Sequence, residues 1–111
     1  MMSFLAKLLN GADEPYLYRV HLDGGERISH LLFAPKAGVI VSATESGEAD
    51  GHRKLFLDSG ELAPPTFEGE TDFERGDAGL SREEFSRVAL NIRREWMKRG
   101  EPPAAVVRTY G

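Results

Sequence analysis

The sequence predicts an α+β fold, in which a four- to five-stranded, mainly antiparallel sheet carries one long C-terminal helix on one face. Residues 81–100 have the periodicity of an amphipathic helix, and four β-rich runs separated by Gly-rich turns precede them. A last β-rich run, AAVVRTY, covers residues 104–110. With a short N-terminal helix, the expected order is α-β-β-β-β-α-β. A chain of 111 residues is expected to form a single domain, residues 1–111.

The N-terminal segment, residues 1–11, predicts a short helix at an edge of the sheet. Its apolar run is interrupted by Lys7 and is far shorter than the roughly 20 residues of a membrane span. We therefore expect this helix to pack on the protein rather than to anchor it in a membrane. One side of the helix would carry the apolar residues Phe4, Leu5, Leu8 and Leu9.

A β-hairpin is predicted around the DGG turn at residues 23–25, between two runs rich in aromatic and β-branched residues. If the loop has three residues, Val20 lies opposite Ile28. Two further strands are expected at residues 39–44 and 52–58, again bounded by glycine-containing turns. Consecutive short strands with such turns favour an antiparallel meander.

The histidines His21, His30 and His52 all fall in predicted strands, and none belongs to a recognisable catalytic motif. In the hairpin register given above, His21 and His30 project from opposite faces of the sheet, which argues against a shared metal site. No glycine-rich phosphate-binding motif is present either. We therefore expect no catalytic residues, no metal site and no cofactor.

The connection over residues 59–80 has no sustained periodicity and is strongly acidic. Ten acids and three bases lie between residues 45 and 77, a net charge of −7 in a chain whose total is −4. The order of these acids does not match an EF-hand calcium loop. A connection of this length without regular structure is uncommon in a compact domain and is usually functional or mobile. The connection is therefore interpreted either as a surface loop that is held against the protein body or as a binding surface.

The helix predicted over residues 81–100 has start and stop signals. Ser81 and Glu84 have the spacing of a capping box, and Gly100 suits the left-handed position that follows a helix. Its ion-pair partners are expected at i,i+4 spacing, as in Glu83 with Arg87 and Glu95 with Arg99. The face expected in the core consists of Phe85, Val88, Ala89, Ile92 and Trp96.

The opposite side of this helix is expected to carry Arg87, Asn91, Arg94 and Lys98. Leu90 and Met97 fall between the two sides, beside Arg94. Either Phe67 or Phe73 from the acidic connection covers them, or they form part of a patch that binds a partner. The first interpretation is slightly favoured, because the acids of the connection would complement the basic side of the helix.

Composition excludes several classes of function. There is no cysteine, so disulfide scaffolds, thiol catalysis and cysteine-based zinc sites are ruled out, and a reducing, cytoplasmic setting fits. The net acidity disfavours general nucleic-acid binding, which normally needs a dominant basic surface.

The function expected from the sequence is that of a small, non-enzymatic binding protein, such as an inhibitor, an immunity-type protein or an adaptor. Its partner would be another protein, plausibly a basic one steered by the acidic connection. A homodimer is a further expectation, because an unpaired edge strand needs protection. The residues expected to contact the partner are Glu68, Glu70, Asp72, Glu74, Leu90, Arg94 and Met97.

Two other functions stay open. One is a small-ligand-binding domain or an enzyme that uses the sheet face beneath the acidic connection, with His30 or His52 as its titratable group. The other is weak nucleic-acid binding through the basic side of the helix, recognisable by binding that falls steeply with salt.

Overall fold

A computed structural model describes residues 2–10, 15–63, 80 and 82–110. Six strands and one long helix are found in this part of the chain, so the predicted α+β class is confirmed. A short 3-10 turn, Asp23–Gly25, joins the second and third strands. The elements in chain order are β1 (Met2–Asn10), β2 (Tyr16–Leu22), β3 (Arg27–Ala34), β4 (Val39–Ala43), β5 (Ala49–Phe56), α1 (Arg82–Arg99) and β6 (Ala105–Tyr110).

The sheet is wider than expected, because the N-terminal segment is a strand and not a helix. All neighbouring strands pair antiparallel, in the order β5-β4-β3-β2-β1-β6. The apolar residues of β1 also fit a period of two: Phe4 and Ala6 point into the core, while Lys7 points away and is exposed. Both edges of β1 are paired, with β2 on one side and β6 on the other. Tertiary pairing thus overrides a local pattern that is compatible with a helix.

The two outer strands of the sheet, β5 and β6, are consecutive strands in the chain, and the connection between them contains α1. At the β5 edge, Phe56 N–H donates to the Glu61 carbonyl at 2.9 Å and Ala63 N–H donates to the Lys54 carbonyl at 2.8 Å. Residues 61–63 therefore satisfy part of that edge. Before β6, the buried Tyr18 hydroxyl donates to the Pro103 carbonyl at 2.6 Å and fixes the entry into the strand.

The helix α1 lies on one face of the sheet, and its predicted core side is confirmed. Phe85, Val88, Ala89 and Ile92 are fully buried, and the Trp96 ring meets that of Phe33 edge-on at a centroid distance of 5.4 Å. Polar contacts hold both halves of the helix. They are Glu84 with Arg27 of β3, Arg93 with the Leu57 carbonyl after β5, and Glu95 with Arg108 of β6.

One residue assigned to the solvent side of α1 is in fact buried. Asn91 is 2% exposed, and its Nδ2 donates to the Arg87 carbonyl at 2.7 Å. At about 100° per residue, Asn91 lies only about 60° around the helix from the buried Val88. The buried arc of α1 is therefore wider than its apolar residues indicate, and it includes the 8%-exposed Glu95.

The β2–β3 hairpin has a register one residue away from the predicted one. Val20 pairs with Ser29 and not with Ile28, because the turn contains four residues rather than three. Asp23 and Gly24 both adopt positive φ values, 52° and 71°, which produce this longer turn. A shift of one residue moves every side chain of one strand to the opposite face of the sheet.

We predict that Phe33→Ala lowers the free energy of unfolding by about 3 to 5 kcal/mol, because it removes a fully buried ring that contacts Trp96 and Tyr16. Phe56→Ala is the matched control: Phe56 is 41% exposed on the opposite face, and its loss should cost much less. Urea denaturation of both variants measures the difference. Equal losses would mean that the core does not lie between α1 and the sheet.

Candidate functional site

The face of the sheet opposite α1, which we call the open face, carries apolar residues as well as polar ones. The strand registers place Leu5, Leu17, Ile28, Leu32, Val39, Val41, Phe56 and Val107 on it. Ile28 is 53% exposed and Val107 is 59% exposed. Exposed large apolar side chains that share one face mark interaction sites more often than isolated ones do.

A row of basic residues crosses the open face from strand to strand. Lys7 of β1 pairs with Arg19 of β2, and Arg19 pairs with His30 of β3. Apolar residues flank this row on both sides: Leu5 and Ile28 in one neighbouring row, Leu17, Leu32 and Val41 in the other. Among the strand side chains that the structure describes on this face, none is a carboxylate.

The turn between β4 and β5 rises beside the basic row and makes that part of the face concave. A Cβ built on Gly47 would lie 3.5 Å from Leu17 Cδ2, so this turn rests against the open face. Hydrogen bonds from Thr44 N–H to the Glu48 carbonyl (2.8 Å) and from Gly47 N–H to the Thr44 carbonyl (3.0 Å) hold the turn. Between the turn and the strands is a pocket of about 340 Å³ lined by Arg19, Ile28, Ser29, His30, Ala43, Thr44 and Glu45.

His30 is the most buried ionisable group of this pocket. It is 7% exposed, and its Nε2 has no hydrogen-bond partner among the described residues. Burial lowers the pKa of His30 below its usual range, and the Arg19 guanidinium and His21 lower it further, while Glu45 opposes them. The imidazole is therefore held largely neutral near pH 7, next to a permanent cation.

The hairpin register also brings His21 to the same face as His30, which corrects the prediction of opposite faces. His21 pairs with Ile28, two residues from His30, and both lie on the open face. The side chain of His52 lies outside the described residues. Within the described part of the chain, no group of three or more metal-ligating side chains is found.

Of the seven residues expected from the sequence to contact a partner, the structure describes the three on α1. Glu68, Glu70, Asp72 and Glu74 lie outside the described residues, as do Phe67 and Phe73. On α1, Arg94 is exposed and Met97 is 62% exposed, but Leu90 packs partly against the core.

Leu90 is covered at least in part by the turn that follows β5. A Cβ built on Gly60 would lie 3.4 Å from Leu90 Cδ2. Arg93 ties this turn to the helix, since its Nε donates to the Leu57 carbonyl at 2.7 Å. The exposed apolar area on this side of α1 is therefore mainly that of Met97.

Half of the six basic residues of α1 are committed to contacts within the chain. Three arginines have acceptors: Arg87 meets Glu83 Oε1 at 2.8 Å, Arg93 meets the Leu57 carbonyl at 2.7 Å, and Arg99 meets Glu95 Oε1 at 3.3 Å. The i,i+4 pairs Glu83–Arg87 and Glu95–Arg99 were predicted from their spacing and are confirmed. This arrangement leaves less basic surface on α1 than its composition indicates.

Sequence reasoning did not identify the open face as a site. A signal was present in β2, where Leu17, Arg19 and His21 alternate with the buried Tyr18, Val20 and Leu22. With a single predicted long helix, one face of any sheet had to be left without a helix. What sequence could not supply was the register, and the register decides that Lys7, Arg19 and His30 share a row.

No protein-family model matches the chain, and comparisons with curated proteins and with solved structures find no match. No helix in the described part of the chain is long and apolar enough to cross a membrane. Function therefore has to be argued from the geometry of the chain itself.

We predict that His30 makes the stability of the protein depend on pH. Because the folded-state pKa of His30 lies below the unfolded value of about 6.5, the unfolded chain binds more protons between those two values. Stability should be highest above about pH 6.5 and fall as the pH is lowered through the folded-state pKa. Urea midpoints measured over this range should decline less steeply for His30→Gln than for the natural protein.

His21→Gln is the control for that measurement, because His21 lies on the same face but outside the His30 pocket. Because His21 is the weakest of the named influences on the pKa of His30, this variant should keep most of the pH dependence of the natural protein. A His30→Gln variant with an unchanged slope would show that His30 is as easily protonated in the folded protein as in the unfolded chain.

Proposed function

We propose that this chain is a small non-enzymatic binding protein whose open face receives an acidic and apolar surface of another protein. The observation that carries the proposal is the basic row of Lys7, Arg19 and His30 between two apolar rows. Apolar area supplies the free energy of association, and the cations select a partner with carboxylates at its centre.

Charge and shape argue against two other occupants of the open face. A second copy would bring two basic rows together, and facing like charges are unfavourable. An anionic membrane surface is flat, whereas the centre of this face is recessed: His30 and Leu32 are each only 7% exposed. A protruding acidic element of a protein satisfies both the shape and the charge.

We predict that Leu17→Glu abolishes capture of the partner, because it introduces a carboxylate into an apolar row next to Arg19. The immobilised protein and its variant are exposed to extract of the native host, and the retained proteins are compared by mass spectrometry. The matched control is Met97→Glu, which places the same charge at a 62%-exposed position on α1.

Proteins retained by the natural chain and by Met97→Glu, but not by Leu17→Glu, would support the open face. If instead the partner is retained by Leu17→Glu and lost with Met97→Glu, the site lies on the side of α1 that carries Leu90, Arg94 and Met97, and the proposal is overturned. Two further readouts test the rejected occupants. Sedimentation equilibrium that shows a Leu17-dependent dimer would favour a second copy, and Leu17-dependent binding to phosphatidylserine vesicles would favour a membrane.

The acidic connection is a separate proposed contact surface, for a basic partner. It is supported by the six acids and one base of residues 59–80, a net charge of −5. We predict that the combined alanine variant of Glu68, Glu70, Asp72 and Glu74 slows association with a captured basic protein at low salt, because long-range attraction raises the on-rate. Surface plasmon resonance at two salt concentrations measures the on-rate. An unchanged on-rate would refute the acidic connection as a contact surface.

Two functions of other classes have weaker support. Small-ligand binding or catalysis is favoured only by the pocket of about 340 Å³ at His30, one of the two histidines expected to act as its titratable group. Nucleic-acid binding through α1 is disfavoured by the contacts that Arg87, Arg93 and Arg99 already make. Retention of small metabolites or of salt-sensitive oligonucleotides by the purified protein would favour one or the other.

A further inference from the structure

His30, which lines the pocket of about 340 Å³ on the open face, has a buried ring nitrogen that lacks a hydrogen-bond partner. His30 Nε2 has no hydrogen bond among the described residues, although the residue is only 7% exposed. Buried polar atoms are nearly always hydrogen-bonded, and an exception of this kind calls for an explanation. Arg19, the cross-strand neighbour of His30, lines the same pocket.

On the premise of the protein-binding function proposed above, we propose that this pocket takes the carboxylate of an aspartate or glutamate side chain from the partner. Arg19 and His30 donate hydrogen bonds to the two carboxylate oxygens. The occupant gives His30 Nε2 the partner that it lacks, and it completes the basic row at its most recessed point.

The composition of the pocket wall favours a carboxylate over a phosphate. The pocket has a single permanent cation, Arg19, and Glu45 lines it as well. The charges of Arg19 and Glu45 cancel, so the pocket has no surplus permanent positive charge to balance a phosphate dianion, and a carboxylate monoanion adds only about half as much negative charge. Phosphate sites usually gather more donors, such as an arginine cluster or the N-terminus of a helix.

Binding of a carboxylate is coupled to uptake of a proton by His30. In the free protein, burial and the charges of Arg19 and His21 on β2 hold the pKa of His30 low, and Glu45 in the β4–β5 turn opposes them. Lys7 of β1, beside Arg19, adds a positive charge to the same row. A bound carboxylate favours the imidazolium and raises this pKa. Affinity therefore rises as the pH falls through the bound-state pKa, and it levels off below the free-state pKa.

The test uses acetate as the probe and follows the imidazole Cε1–H signals of the full chain by NMR. Sodium acetate is titrated against sodium chloride at equal ionic strength, at about pH 6 and about pH 8. We expect a saturable shift of the His30 signal with acetate only, a higher His30 titration midpoint when acetate is bound, and tighter binding at the lower pH. A His30 midpoint that acetate does not move would overturn the proposal.

Variants separate the pocket from general attraction to the basic face. Arg19→Gln should weaken acetate binding about tenfold, the usual effect of losing a charge-assisted hydrogen bond. Glu45→Gln should strengthen it, because it removes the opposing carboxylate. Lys54→Gln is the control: it removes a cation from the same face, outside the pocket. Equal weakening by Arg19→Gln and Lys54→Gln would overturn the proposal in favour of nonspecific attraction.

Failure of this inference can be told apart from failure of the proposed function. If the captured partner is lost with Leu17→Glu but is retained equally by the natural chain, His30→Gln and Arg19→Gln, the open face binds protein and the carboxylate pocket is refuted. If acetate binds with the expected pH dependence but Leu17→Glu changes no capture, the pocket stands and the protein-binding function is refuted. Saturable binding of phosphate in preference to acetate would overturn the choice of a carboxylate.

Discussion

The packing of a single helix on one face of a six-stranded sheet is the constraint on which the rest of this structure depends. Strand side chains alternate between two faces, so every strand contributes one set of residues to the core and one set to the opposite side. The core set meets α1 through Phe33 and Trp96, which are joined edge to face. The other set has no second layer of regular structure among the described elements. It therefore shapes the surface on which the proposed function rests.

The same division separates the charges of the molecule. Basic groups at the α1 face are paired internally: Arg27 with Glu84, and Arg108 with Glu95. On the open face, the row from Lys7 to His30 has no strand carboxylate beside it among the described side chains, although the whole chain is acidic. Exposed ion pairs contribute little to stability, so the internal pairs chiefly fix geometry. The basic row on the open face is instead a source of specificity, because it favours one sign of partner and disfavours another copy of itself.

His30 links recognition to proton binding. An imidazole held neutral by burial costs stability when it is protonated. Arg19 lies next to it across the strands, and Glu45 faces both from the β4–β5 turn. Because His30 has a lowered pKa and lies between these two charged residues, the net charge of the pocket is sensitive to pH and to an occupant. The recessed position of His30 also means that such an occupant must protrude from its own surface.

Much of this molecule is determined by its sequence alone. The period of α1, its core residues and its i,i+4 pairs follow from the spacing of apolar and charged side chains, and strands β2, β3, β4 and β6 follow from β-rich runs between turns. Local signals of this kind act within a few residues. The strand conformation of Met2–Asn10, the burial of Asn91 and the register of the hairpin were decided by tertiary structure. The strand at residues 2–10 and the burial of Asn91 depend on partners distant in the sequence, β6 above all for the strand. The register of the hairpin depends on one extra residue in its turn. That single residue moves His30 to the face of His21 and Arg19 and creates the basic row, which no periodicity in the sequence could reveal.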